Sequence, residues 1–292
     1  GDRLLIDDNG GSFNNLQMTI TNSGTSGNMI TIEGVNDPLF KGPGTGSGVW
    51  MKLDNAASYL HIKNLRIEDY QYAMRSVDDI NNPYQYNIIE GLRINYVYHG
   101  IYLVDYRNSE IKNCILTMVK GRGISMRDGC RHVQVYDCLV DHNLGDVDYG
   151  KTNFSIGFEV RDGDTRYSTD PEDIIDIVFT RCEARNSLRI DNNYTNGDGF
   201  TVNAAWKDIK FYNCIAHNNA DGGWDDKGHN TYYENCISVG NGNNFRPRNN
   251  QKYVNCLSAN PTVVELSNHG TRVMKFSDGS APQVEVYNCT FH

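Results

Sequence analysis

Proline, long apolar runs and helical patterning are all scarce in this 292-residue chain. There are 7 prolines against 28 glycines, and mean hydropathy is -0.56. No window holds 18 apolar residues, which excludes an apolar membrane-spanning helix. Apolar residues instead come in short alternating runs such as I-T-I (30–32), V-Q-V (133–135) and I-K-F (209–211). That is strand-and-turn composition, with little to support a helix. Basic residues are also in deficit, 27 against 36 acidic, for a net charge of -9. Broad nucleic-acid affinity is thereby excluded, although a local basic patch could still hold another polyanion. The chain begins Gly-Asp rather than Met. We expect a processed or trimmed form without its leader and, separately, a secreted protein, extracellular or periplasmic.

The eight cysteines suggest a disulfide framework until their context is read. Seven recur in one phrase: N-C-I-L (Cys114), D-C-L-V (Cys138), R-C-E-A (Cys182), N-C-I-A (Cys214), N-C-I-S (Cys236), N-C-L-S (Cys256) and N-C-T-F (Cys289). Their spacings are 24, 44, 32, 22, 20 and 33 residues, and Leu92 and Leu65 hold the same slot earlier in the chain. A recurrence of this kind marks a structural repeat in which cysteine serves as a small buried hydrophobe.

A second phrase follows each cysteine slot after eight or nine residues, apart from two places with insertions. It reads G-I-Y-L-V (100–104), G-I-S-M-R (123–127), G-F-E-V-R (157–161), G-F-T-V-N (199–203), G-W-D-D-K (223–227) and N-F-R-P-R (244–248). A period near 22 residues, built from strands without helices, predicts an all-β fold: a right-handed parallel β-helix forming a single domain over 1–292. Strand alternation then assigns faces. Ile101, Ile124, Phe158, Phe200, Trp224 and Phe245 point inward, and so do Leu103, Met126, Val160 and Val202. Two outward columns remain. One holds Tyr102, Ser125, Glu159, Thr201, Asp225 and Arg246; the other holds Val104, Arg127, Arg161, Asn203, Lys227 and Arg248.

Four cations in one column, with rungs about 4.8 Å apart, repel one another unless an anion lies along them. A hexuronate unit repeats at roughly the same distance, so an anionic polysaccharide is the expected partner. Long insertions at 141–153, 162–174 and 183–196 bring Tyr149, Tyr167 and Tyr194 as expected walls of a groove. His217 is a further candidate substrate contact.

The segment H-N-N-A-D-G-G-W-D-D-K-G-H (217–229) concentrates the chemistry. Removing a proton α to a carboxylate needs a base that can become neutral, and guanidinium neighbours favour a neutral amine. Lys227 is the candidate, with Arg248 twenty-one residues later in the same column. Asp198, Asp221 and Asp225 gather oxygen ligands suited to Ca²⁺, or else serve as Asp-Gly corner residues. Asp226 falls at an inward station. It is expected either to sit in a bulge or to be a buried charge paired with Lys or Arg.

N-G-D-G-F (196–200), N-N-A-D-G-G-W-D (218–225) and G-N-G-N-N-F-R (240–246) resemble the β-helical polysaccharide lyases, above all the family 9 pectate lyases. The family 6 alginate and chondroitin lyases and other β-helical alginate lyases are also similar. The family 9 resemblance implies calcium ligands at Asp198, Asp221 and Asp225. However, Gly222 stands at a further ligand position, and Arg246 stands where that family has its basic lysine. The Lys227–Arg248 pairing resembles family 6, which implies a lysine base with an arginine assisting the leaving oxygen. The reading is therefore a monomeric uronate-polymer lyase, alginate favoured. Lys227, Arg248 and Tyr194 are catalytic, and Arg127, Arg161, Asn203 and Arg246 hold substrate, with Ca²⁺ as candidate cofactor. A calcium-dependent pectate lyase, a β-helical glycoside hydrolase and a non-catalytic polysaccharide-binding module are the alternatives.

Overall fold

The computed structural model describes residues 1–77, 82–143, 154–161, 175–191, 194–203, 207–262, 270–276 and 283–292, without the side chains of 175, 189–191, 194 and 195. Three parallel sheets of 12, 11 and 10 strands run the length of the molecule. Each coil gives one short strand to each sheet in turn. Lys210–Tyr212 is followed by Ile215–His217 and Gly222–Asp226, and Thr231–Glu234 then opens the next coil. The architecture is the expected right-handed parallel β-helix.

The residue before each cysteine slot explains why the phrase recurs. Asn64, Asn113, Asp137, Arg181, Asn213, Asn235, Asn255 and Asn288 all lie at positive φ, from 51° to 58°, and Gly91 lies at 62°. The chain turns there from the first sheet to the second through one left-handed residue. Asn and Asp occupy that region more cheaply than other side chains with a Cβ. The cysteine that follows then points into the core. Six of these thiols, from Cys114 to Cys256, are buried, and all eight cysteines are free. Each of the six Sγ–H groups donates to a carbonyl two residues back, as Cys114 does to Lys112 O at 3.3 Å and Cys236 to Glu234 O at 3.5 Å.

Inward stations stack coil on coil. Phe158, Phe200, Trp224 and Phe245 form one aromatic pile with centroid spacings of 4.8, 4.8 and 5.0 Å. Phe179, Phe211, Tyr233 and Tyr253 form a second at 4.9, 5.0 and 4.5 Å. The piles meet edge to face, as Phe211 and Trp224 do at 81°, an arrangement aromatic quadrupoles favour. These rigid columns fix the height and direction of the outward side chains on the same strands.

Candidate active site

On the third sheet the register matches the alternation. Tyr102, Ser125, Glu159, Thr201, Asp225 and Arg246 align in one outward column. Val104, Arg127, Arg161 and Asn203 align in the next. Lys227 and Arg248 extend that second column, because their backbone N–H groups donate to Val202 O at 2.9 Å and Asp226 O at 3.1 Å. The column departs from expectation at Val104, which is buried; its N–H donates to the Ser76 hydroxyl at 2.7 Å. A cleft of about 460 Å³ lies over the later rungs of these columns, with Arg122 and Glu159 at one end and Arg246 and Arg248 at the other; Arg127, expected to hold substrate, is not in its lining.

Its centre is a network of opposite charges. Lys227 Nζ donates to Asn203 Oδ1 at 2.5 Å and Asp225 Oδ2 at 2.9 Å. Asp225 Oδ1 accepts Arg248 Nε at 3.0 Å. Arg246 reaches Asp221 Oδ2 at 3.1 Å and lies 3.8 Å from Asp225 Oδ1. Burial pushes the Asp225 carboxyl upward, but Lys227, Arg246 and Arg248 together outweigh it and hold the group below the ordinary carboxylate range. Asp198 goes the other way. Burial, then the nearby Asp221 and Asp225, push its carboxyl well above the ordinary carboxylate range.

This balance bears on calcium. Asp198 Oδ1 accepts the Gly222 N–H at 2.8 Å, and Asp221 Oδ1 accepts Asn243 Nδ2 at 3.1 Å. With the contacts above, the inner carboxylate oxygens are taken by protein donors, and Lys227 and the two guanidinium groups supply the positive charge. Among the described residues no group of three His, Cys, Asp or Glu is placed to hold a metal ion. The donor set therefore does not fit Ca²⁺, which would have to displace Arg246 and Lys227. Gly222 has a local reason too: a Cβ there would lie 2.7 Å from Asp198 Oδ1.

At the opposite end Glu159 is fully buried, yet it faces the cleft. It accepts Ser125 Oγ at 2.7 Å and lies 2.8 Å from Arg122 Nε and 3.8 Å from Arg161. The sequence reading placed Glu159 in the right column but gave it no role. Its signal was a carboxylate surrounded by cations. Arg127 stands one rung beyond Arg161 and donates to the Tyr102 hydroxyl, with its guanidinium 5.3 Å from that ring's centroid.

Other expected site residues fall elsewhere. His217 belongs to the second sheet, where its Nε2 lies 3.0 Å from Glu183 Oε1; the chain turns into the third sheet only after it, at Asn218 with φ 57°. It is therefore not part of the cleft. Tyr194 begins the hairpin strand Tyr194–Asn196, which pairs antiparallel with Arg189–Asp191 and ends at the cleft wall through Asn196. The Tyr194 side chain lies outside the described residues, as do Tyr149 and Tyr167. Asp226 is buried as expected, but among the described residues no cation pairs with it: it accepts Tyr233 Oη at 2.6 Å and the Gly228 N–H at 2.6 Å.

The family described as "Right handed beta helix region" matches residues 6–165, more than half of the chain. The chain belongs to this right-handed β-helix family. No curated protein matches the sequence. Among solved structures, this β-helix is similar to pectate lyase Pel9A, with TM-score 0.62 and 13% identity over 97% of this chain and 69% of the other. A lacto-N-biosidase from Eubacterium ramulus gives TM-score 0.57 at 15% identity, and the β-helix, 98% covered, spans 62% of that chain. The alginate lyase from Paenibacillus sp. str. FPU-7 gives 0.50 at 15% identity, over 98% of this chain and 91% of that one. At these identities the likeness is one of fold.

Proposed function

We propose that this β-helix is a polysaccharide lyase that cleaves a uronate-containing polyanion, alginate favoured, by β-elimination. The observation that carries the reading is the cationic column Arg161–Asn203–Lys227–Arg248, lining an open cleft with a lysine amino group at its centre. Arg161, Arg246 and Asn203 receive the carboxylate of the sugar being cleaved and stabilise the charge that builds on it as the C5 proton leaves. Lys227 first gives up its own proton to water, loosening its ion pair with Asp225, and as the free amine takes the C5 proton. Electrons from the C5–H bond form the C4–C5 double bond, the C4–O4 bond breaks, and O4 receives a proton. Tyr194 supplies that proton, or Arg248 holds the leaving oxygen by hydrogen bonds while staying charged and water supplies the proton. No step runs through a metal. Alginate is favoured over pectate because Gly222 and Arg246 replace a ligand and the lysine of the pectate-lyase pattern. Such polymers lie outside the cytoplasm, and we place the protein there.

One observation favours a second reading. Asp198, its carboxyl pushed up by burial and by Asp221 and Asp225, and Asp225, its carboxyl held down by Lys227, Arg246 and Arg248, are the pair that an acid and a base of a glycoside hydrolase would need. The products separate the two. A lyase releases an unsaturated end that absorbs in the ultraviolet; a hydrolase releases reducing ends without that absorbance. Alginate, pectate and chondroitin are the substrates to assay, and Lys227→Ala is expected to lower turnover about 10³-fold, in the range of a lost general base. Normal turnover by Lys227→Ala would remove the base assignment. Polymer retained with no product would leave a binding module.

A further inference from the structure

The first outward column does not end at Arg246. Strand Arg272–Met274 pairs with Asn243–Pro247, with Phe245 opposite Met274, and the Lys275 N–H donates to Phe245 O at 2.8 Å. Lys275 thus takes the next outward station, one rung beyond Arg246. It is half-buried, and no ion pair joins it to a carboxylate among the described residues. The contrast along the column is sharp. Arg246 and Arg248 form ion pairs with Asp221 and Asp225, and Arg122 with Glu159. Lys275 instead stands among cations. Desolvation and then the Arg246 charge hold its ammonium below the ordinary lysine range, with Arg272 and Arg248 adding to the effect and Asp221 opposing it.

A half-desolvated ammonium beside three guanidinium groups is a place where an anion relieves repulsion. Resting on the lyase reading above, the geometry points to Lys275 as a further substrate-binding residue, taking the carboxylate of the uronate unit one step beyond the unit held by Arg246. The rung spacing of about 4.8 Å is close to the length of one sugar, so successive carboxylates meet successive rungs. Lys275 would then set how many sugars the cleft reads and leave the bond-breaking step alone.

Uronate oligosaccharides of defined length test this. On a hexamer, Lys275→Gln is expected to raise KM about tenfold, the loss of roughly one charge-assisted contact, with kcat unchanged. On the shortest oligomer that the wild type cleaves, the same variant should match wild type. Lys275→Arg should recover the hexamer KM. An amine-acylating reagent on wild-type protein gives a second readout that needs no variant. The hexamer should slow modification of Lys275 and leave Lys252, on the first sheet, unchanged, and a neutral oligosaccharide should protect neither. Unchanged KM at every length, a fall in kcat alone, or an unprotected Lys275 overturns the inference while wild-type cleavage keeps the lyase reading intact. Failure of the wild type to cleave or bind any uronate polymer removes both.

Discussion

Asp226 occupies an inward station where the strands on either side place Val202 and Pro247. A carboxylate there is costly unless it is neutral or well paired. Burial pushes its carboxyl up to about 6, against hydrogen bonds from Tyr233 and Gly228 that favour the charged form. The folded protein therefore binds this proton more tightly than the unfolded chain does. The sign follows from linkage. Stability from this group is complete below the unfolded value of 3.8 and declines as pH rises through about 6. At 1.36 kcal/mol per pKa unit the loss is on the order of 3 kcal/mol. Asp198, also pushed up by burial, adds to the slope in the same direction. The measurement is the urea midpoint of wild type and Asp226→Asn between pH 4 and 7.5. Wild type should lose more stability than the variant across that window; equal slopes would mean that Asp226 is not the group responsible.

At the level of the coil, the corner residue before each cysteine does work that alternation cannot reveal. Asn235 turns the chain at φ 55° and is exposed, so packing does not explain it. Asn235→Ala should cost about 1 kcal/mol, the penalty for a Cβ in the left-handed region, and Asn235→Gly should be close to neutral. Chemical denaturation of the three proteins checks this, and an alanine as good as glycine would rule out the conformational explanation. The same distinction separates what could be read in the sequence from what could not. Period-two alternation around Gly199, Gly223 and Phe245 assigns the correct face on those three cleft strands, since a parallel register carries equivalent stations from coil to coil. It could not say which of three sheets a half-coil joins, so His217, correctly outward, was assigned to the cleft when its sheet is another. Lys275 was missed because V-M-K (273–275) lacks the glycine of the phrase and follows Arg246 after 29 residues rather than about 22. Alternation also gives no charge partners. The three carboxylates read as calcium ligands are near one another as expected, but only coordinates show Arg246 and Lys227 among them.

At the scale of the whole molecule, the cations of the cleft stand against an acidic chain. The chain carries a net -9, while one end of the third sheet gathers Arg122, Arg161, Lys227, Arg246 and Arg248 around a cleft. A polyanion is repelled by the acidic chain as a whole and drawn by the cations of this strip. Substrate capture should therefore weaken with ionic strength, because the Debye length falls from about 10 Å at 0.1 M to about 3 Å at 1 M. The internal pairs Lys227–Asp225 and Arg246–Asp221, shielded in the sheet surface, should persist. Their persistence leads to the metal prediction. If protein cations already neutralise Asp221 and Asp225, dialysis against a strong chelator should leave both thermal stability and cleavage rate unchanged, and added Ca²⁺ should not raise the melting temperature. The two treatments then give a joint pattern: KM on alginate rises with NaCl, while kcat is indifferent to chelation. A calcium bound by the native protein would instead stabilise it by mass action, and a chelator-induced fall in melting temperature would show that the carboxylates, and not Arg246 and Lys227, hold the positive charge at the centre of the cleft.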